Sequence, residues 1–325
     1  MAGDAKVRWG IVGTSGFARH TFGPAIVGSR RGELYGCVGS DISRARDFAA
    51  RLGAVKVHQS VDDMAEDPEI EAVWIASPNH MHKEHALAML SEGKHVLCEK
   101  PMAVTPEDCE EMVDAAEDNG VLLSVGYHMR HHPELRRLQE RFAARHFGPP
   151  VEARARMFHA YPAPPPTWRA KKATSGGWAI NDIGTHLIDL LRWFLGEAET
   201  VRGELATKRF HVEADDHAVV MARFDSGGLG LMECSTGAPG PGFLLEVYGT
   251  EGFAVAKDVM FGQGGSMMLM ESGWPGVEKN EVEEINLYEA QVDHFCAALR
   301  GEEELRVTGE DGLRNVEIIS SARGW

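Results

Sequence analysis

The chain has 325 residues, with 33 Lys and Arg set against 49 Asp and Glu for a formal net charge of −16. That length holds two domains, and 43% apolar with 25% charged residues is an ordinary globular composition, which excludes a disordered, collagen-like or coiled-coil chain. The acidic balance, without a basic patch, argues against nucleic acid and anionic membranes as partners and leaves small anions admissible at local sites.

From residue 7 to about 128, short β-branched runs alternate with segments of helical periodicity, the pattern of a parallel sheet covered by helices. Strands are expected over 7–12, 33–38, 55–57, 72–76, 95–98 and 122–125, and helices over 43–52, 82–92 and 106–119. A helix follows Pro133 to about 145, and Phe147-Gly-Pro-Pro breaks it. Alternating runs at 151–159, 201–209, 217–224, 228–235, 243–248 and 252–259 predict a large, mostly antiparallel sheet. Helices are expected at 180–195, before that sheet, and at 288–300, after it. The Pro-rich run 161–167 reads as an extended loop and the Gly- and Met-rich run 261–279 as a mobile one. The fold class is therefore α/β, a doubly wound parallel sheet over 1–128 followed by an α+β domain over 129–325.

Cys37, Cys98, Cys109, Cys234 and Cys296 are odd in number and scattered, with no C-x-x-C pair, and read as reduced structural thiols. No apolar leader follows Met1 and the longest apolar stretches carry charges, so a cytoplasmic location is expected.

The first strand runs into Gly10-Ile-Val-Gly-Thr-Ser-Gly-Phe-Ala. A strand, a tight glycine turn and a helix N-terminus together present backbone N–H groups to a pyrophosphate. Against G-x-G-x-x-[G/A], Gly13 and Ala18 fill the first and third places and Ser15 the second, so Gly13, Thr14, Ser15, Gly16 and Phe17 form the candidate phosphate turn. At the end of the second strand, where NAD sites place a carboxylate on the ribose, stand Gly39 and Ser40, followed by Arg44. A 2′-phosphate would meet small polar groups and a cation there, which favours NADP. Asp41, one residue further on, keeps NAD open.

Lys100 follows the fifth strand, at the carboxyl edge where open parallel sheets gather ligands, and a cation there can stabilise charge growing on a carbonyl oxygen. Asp182 and His186 are spaced to share one helix face, with Asp189 three further on, and histidine is the natural proton donor near neutral pH. Asn79 and His82 follow the fourth strand, where they can line ribose and nicotinamide. The spacing of His80, His82 and His85 does not suit a metal, and His128, His131 and His132 read as a polar junction loop, so no metal is expected. His159, Tyr161, Trp168 and Arg169 combine flat apolar faces with polar tips, suited either to a polyhydroxylated ligand or to a loop packed over a cleft. Trp178 and Trp193 lie on apolar stripes and read as core.

The glycine turn, Ala76-Ser-Pro-Asn-His-Met-His, Lys94-His-Val-Leu-Cys-Glu-Lys-Pro, Gly176-Gly-Trp-Ala-Ile-Asn-Asp-Ile-Gly-Thr-His-Leu-Ile-Asp and Tyr248-Gly-Thr-Glu-Gly resemble the glucose-fructose oxidoreductase, inositol dehydrogenase and rhizopine-catabolism (Gfo/Idh/MocA) family across nearly the whole chain. The resemblance implies a Rossmann domain and a cis Lys100-Pro101 bond. It makes Lys100 and His186 an acid–base pair with Asp182 positioning the lysine, and Ser77, Asn79, His82 and Glu99 cofactor contacts. It leaves His128, His159, Tyr161, Trp168 and Arg169, with Asp182 and His186, to the substrate. Ser15 and Trp168-Arg169 point within the family to an NADPH-dependent carbonyl reductase of sugar-like substrates. Family members are homodimers or homotetramers, and the second domain's sheet would supply the interface. A non-catalytic dinucleotide or sugar sensor is the alternative, and a histidine-dependent metallohydrolase a third reading.

Overall fold

The computed structural model describes residues 5–165, 168–271, 273 and 276–324. Pro166 and Thr167 of the Pro-rich run, Ser272, Trp274 and Pro275 of the Gly/Met run, and the first four residues lie outside them. The chain forms two compact units, residues 1–126 with 288–313, and residues 127–287 with 314–325.

In the first unit β1 (Val7–Val12), β2 (Gly32–Val38), β3 (Lys56–Val57), β4 (Ala72–Ile75), β5 (His95–Cys98) and β6 (Leu123–Val125) pair in the order β3-β2-β1-β4-β5-β6, every neighbour parallel. The helices between them are α1 (Gly23–Gly28), preceded by a π-helical turn at Ala18–Phe22, then α2 (Ile42–Leu52), α3 (Val61–Ala65), α4 (His82–Ser91) and α5 (Pro106–Asp118). Strand order reverses between β1 and β4, which opens a crevice beyond their carboxyl ends. Trp9 and Trp74, side by side on these two strands, anchor the core, with Phe22 stacked on Trp74 at 4.4 Å and Phe295 against Trp9 at 5.0 Å. Asp41, Ser60 and Thr105 cap α2, α3 and α5 by accepting from backbone amides of the first turn.

The second unit begins with α6 (Pro133–Ala143), β7 (Pro150–Phe158) and the one-turn α7 (Lys172–Ser175). The helix expected at 180–195 is present in two parts, a π-helical turn at Ile180–Gly184 and α8 (Thr185–Leu195). The strands β8 (Ala198–Ala206), β9 (His217–Phe224), β10 (Leu229–Ser235), β11 (Gly242–Gly249), β12 (Phe253–Lys257), β13 (Gln263–Met270) and β14 (Glu278–Glu284) follow. The eight-stranded sheet runs β14-β13-β12-β11-β7-β10-β9-β8, antiparallel except where β10 meets β7. One face is buried through Ala153, Leu245, Ala254 and Met232 against α8, whose Leu187, Leu190 and Leu191 complete the core. The chain closes with α9 (Leu287–Leu299) and α10 (Gly309–Ala322).

Several departures from the sequence reading stand out. The run 261–279 contains β13 and the first two residues of β14 rather than a single mobile loop. Met267 and Leu269 alternate inward to the core, while Gly262, Gly264 and Gly265, all at positive φ, turn the chain into β13. The strand expected to reach 209 ends at Ala206, because the Asp216 carboxylate takes the backbone amides of Lys208, Arg209 and Phe210 at 2.7–3.1 Å. Helix α10 went unread, and the chain does not divide at a single point after 128. Residues 288–313 group with the first unit, where Val292, Phe295 and Cys296 fill the core beside Trp9.

The five cysteines are buried and form no disulfide. Among the described residues no helix is long and apolar enough to cross a membrane.

His132 caps α6, its Nδ1 accepting from the Glu134 amide at 3.2 Å, and at 1% exposure its pKa is driven down to about 4 by burial. A histidine held neutral contributes its full stability above the unfolded pKa near 6.5, and that contribution is lost as pH falls toward 4. Thermal unfolding should show Tm falling between those pH values. His132→Asn keeps the cap, removes the titration, and should flatten that slope by roughly 3 kcal/mol or less.

Candidate active site

In the first unit, the β1 turn is built to approach a neighbour closely. Gly13 has φ +105°, its amide donates to Val38 O at 2.8 Å, and a Cβ there would lie 2.7 Å from Ala76 O at the end of β4. Ser15 Oγ accepts from the Ala18 amide at 3.2 Å, so Ser15 caps the following turn, while Gly16 leaves open space on its Cβ side. Thr14 packs on Gly39. Phe17, 54% exposed, touches Phe22 and Tyr288 edge-on. Ser40 and Arg44 are exposed at the end of β2. Asp41 serves α2: its Oδ1 accepts from the amides of Ser43 and Arg44 at 2.9 and 3.1 Å, and Arg44 lies 3.4 Å from its other oxygen. The Arg44 amide is the largest influence holding the Asp41 carboxyl below its ordinary range, against a smaller desolvation effect.

Around β4 and β5 the polar groups are interlocked. The His82 ring sits between Ser77 O and Pro101 O, 2.9 Å from each, and burial lowers its pKa to about 4. His85 Nδ1 meets Ser77 Oγ at 2.9 Å. His82 thus ties the loop after β4 to the cis Lys100-Pro101 corner after β5. Asn79 is 6% exposed on the same loop. The Glu99 carboxylate is buried, accepting from Trp74 Nε1 at 3.2 Å and the Lys100 amide at 3.4 Å, and it fills the space a Cβ on Gly126 would need. Lys100 remains partly exposed. Among the described residues, no group of three His, Cys, Asp or Glu side chains is arranged to hold a metal.

In the second unit, Asp182 sits in the π-helical turn and His186 in the first turn of α8. Asp182 accepts from Arg169 Nε at 3.1 Å and from Trp178 Nε1 at 3.0 Å. The Arg169 guanidinium lies over the Trp168 ring at 4.4 Å, and Tyr161 joins His159 at 4.8 Å and Trp178 at 5.5 Å. Asp182, Arg169, Trp168, His159 and Tyr161 are therefore one aromatic and ionic cluster. His186 is 4% exposed and packs edge to face on His128 at 4.8 Å and Tyr127 at 6.1 Å. Tyr127 Oη pairs with Thr185 Oγ1 at 2.8 Å, and His128 Nε2 donates to Met260 O at 3.0 Å. Asp189 does not join this cluster. It is fully buried, and Arg130 clasps it at 2.7 and 3.0 Å while Asn315 donates at 3.0 Å.

Residues 7–127 match the model of an oxidoreductase family with an NAD-binding Rossmann fold, and residues 135–255 match the GFO/IDH/MocA C-terminal domain. The chain belongs to this family. The 1,5-anhydro-D-fructose reductase of Ensifer adhaerens is 33% identical over 94% of this chain and 92% of its own length. The levoglucosan dehydrogenase of Pseudarthrobacter phenanthrenivorans is 30% identical over 65% of this chain and 61% of its own. Among solved structures, an NAD binding oxidoreductase from Klebsiella pneumoniae superposes with TM-score 0.89 at 26% identity, covering 98% of this chain and 96% of that one.

As a GFO/IDH/MocA oxidoreductase, the chain carries its dinucleotide-binding fold in the first unit, where the Gly13 turn meets the crevice between β1 and β4. Sequence reading missed Tyr127 and Thr185 as partners of the His186 segment and took Trp178 as core alone. Trp178 is 1% exposed, as a core residue is, yet its indole N–H ends on Asp182. The i, i+4 spacing of Trp178 and Asp182 was the available signal. Trp193 is partly buried against the core.

Gly13→Ala would force a side chain into a left-handed backbone against Ala76 O. Titration by tryptophan quenching should show binding of the nicotinamide dinucleotide, NADH or NADPH, weakened about tenfold or more. Binding equal to the parent's would remove the turn from the cofactor site.

Proposed function

We propose that the protein is an NADP-dependent oxidoreductase that interconverts a carbonyl and a hydroxyl carbon of a sugar-like or polyol substrate. The observation that carries this reading is the close-approach glycine turn at Gly13; in the second unit, Asp182 held by Arg169 and Trp178 and His186 packed on His128 support it. The names of the Ensifer 1,5-anhydro-D-fructose reductase and the Pseudarthrobacter levoglucosan dehydrogenase support a sugar-like ligand.

A bound nicotinamide supplies or takes the hydride. Lys100 stabilises the negative charge that develops on the substrate oxygen as the carbonyl π electrons move onto it, and His186 delivers or removes the proton there. Asp182 is the orienting carboxylate. Thr14, Ser15, Gly16, Phe17, Ser77, Asn79 and the Glu99-Lys100 corner line the cofactor, with His82 bracing the last two loops. His128, His159, Tyr161, Trp168 and Arg169 meet the substrate, their rings covering apolar sugar faces and Arg169 its hydroxyls.

The preference for NADP rests on Asp41. Its carboxylate is engaged with the amides of α2, while Ser40 and Arg44 stay exposed for a 2′-phosphate. Arg44→Ala should raise KM for NADPH about tenfold and leave KM for NADH unchanged. Equal effects on both cofactors would end the assignment.

NADPH oxidation followed spectrophotometrically over a panel of ketoses, aldoses and dicarbonyl sugars tests the activity. Lys100→Ala and His186→Ala should each lower kcat by about a hundredfold or more while NADPH binding survives. Parent-like turnover in both variants would defeat the proposed roles.

We also propose that the outer face of the eight-stranded sheet pairs subunits as a homodimer or homotetramer. Met268, Val255, Leu231 and Met221 alternate outward across it, flanking Glu246 and Arg154, and Met221 is 52% exposed. Light scattering should report an oligomer for the parent and a monomer for Leu231→Asp with Val255→Asp. A monomeric parent would refute it.

A further inference from the structure

The segment that carries Asp182 does not begin with a side-chain cap of its own; a residue from a distant loop holds it. Asp215, just before β9 and 4% exposed, takes three successive amides there. Its Oδ1 accepts from Trp178 N at 3.0 Å, its main-chain oxygen from Ala179 N at 3.0 Å and its Oδ2 from Ile180 N at 2.8 Å. The approach is close because residue 177 is glycine. Gly177 has φ +126°, and a Cβ there would lie 2.5 Å from Asp215 Oδ1. From the sheet side, Cys234 Sγ donates to Ala179 O at 3.3 Å. The backbone at 178–180 is thus fixed on two sides, and the side chain that leaves it at 178 is the indole whose N–H lies 3.0 Å from Asp182 Oδ2.

We propose that Asp215 is a positioning residue for the active-site carboxylate Asp182, acting through Trp178: its grip on the amides of residues 178–180 sets the indole, and the indole N–H aims Asp182. The inference rests on Asp182 having the role given it above, and it adds two residues to that machinery. Arg169 Nε also reaches Asp182, at 3.1 Å, so loss of the indole removes one of the donors that fix the carboxylate's direction. Burial of Trp178 by itself would require only an apolar ring, which Phe supplies.

The test uses the full-length protein, with Trp178→Phe, Asp215→Asn, their combination, and Asp182→Asn as reference. Asp215→Asn places an amide donor against one of the two N–H groups its carboxylate accepted. Trp178→Phe keeps an aromatic ring and removes the donor together with part of the ring volume. The first readout needs no substrate: the Trp178 indole N–H resonance, identified by its absence in Trp178→Phe, should shift in Asp215→Asn in the same direction as in Asp182→Asn. The second is turnover with NADPH and the sugar the parent reduces fastest. Trp178→Phe and Asp215→Asn should each lose about tenfold in kcat with KM for NADPH within about twofold of the parent, and the double variant should lose no more than the worse single one.

An unmoved indole resonance in a folded Asp215→Asn, or multiplicative losses in the double variant, overturns the inference. So does parent-like turnover in Trp178→Phe, a result that does not depend on Asp215→Asn folding. Parent-like turnover in Asp182→Asn instead defeats the reading of the site itself, and with it this addition. A parent inactive on every sugar defeats the proposed activity alone, and the indole resonance then decides.

Discussion

A carboxylate taken out of water has to be met by donors, and in the second unit that requirement decides how the chain is routed. Asp189 is met by Arg130 from the turn before α6 and by Asn315 from α10, so three segments far apart in sequence converge on one group. Asp216 collects the amides of 208–210 and ends β8; Asp215, its neighbour, collects those of 178–180 and starts the helical segment beneath Asp182. The cost shows in the titration of the groups involved. Burial raises the Asp215 carboxyl despite its hydrogen bonds and the charge of Arg323, and lowers the Arg323 guanidinium to about 10. Removing one partner from such a group leaves an uncompensated charge, at about 3–5 kcal/mol for a buried pair.

The first unit buries a carboxylate too, Glu99, and sets its turns with backbone groups. Its strand β4 is apolar on both faces, and polar contacts gather at the strand ends, where Gly13 meets Ala76 and where His82 joins the loops after β4 and β5. A strongly acidic protein can present a phosphate site there because backbone amides at a helix start carry no net charge and need no basic surface. The chain's overall charge and its cofactor chemistry are in this way independent.

Much of this was legible in the amino-acid order. Both sheets, most strand limits to within a few residues, and the motifs around Gly13, Lys100 and Asp182 follow from local periodicity and from turn chemistry that acts over a handful of residues. What was not legible depends on partners remote in sequence. Nothing near Lys208 signals that Asp216 will end its strand, and nothing near Trp178 signals Asp215. Asp189 lies three residues from His186 and reads as its companion, yet its partner comes from residue 130. The strand β13 hid behind glycines and methionines, which score as loop until Met267 and Leu269 are seen to alternate into a core. The return of α9 to the first unit is likewise a fact about Trp9 and Phe295, 286 positions apart, rather than about either stretch.

Asp41 gives the architecture a bearing on how such a protein can change. A carboxylate at the end of β2 is the usual route to a bare ribose, and this chain has one within reach in sequence, but it is already employed as the first-turn anchor of α2. Redirecting it would take the side-chain acceptor from the amides of Ser43 and Arg44 and weaken the start of the helix. Position 40, whose serine caps nothing in α2, carries no such debt. An evolutionary or engineered switch of nucleotide preference therefore has its open door at Ser40, with Asp41 left in place as the hinge post on which the neighbouring helix hangs.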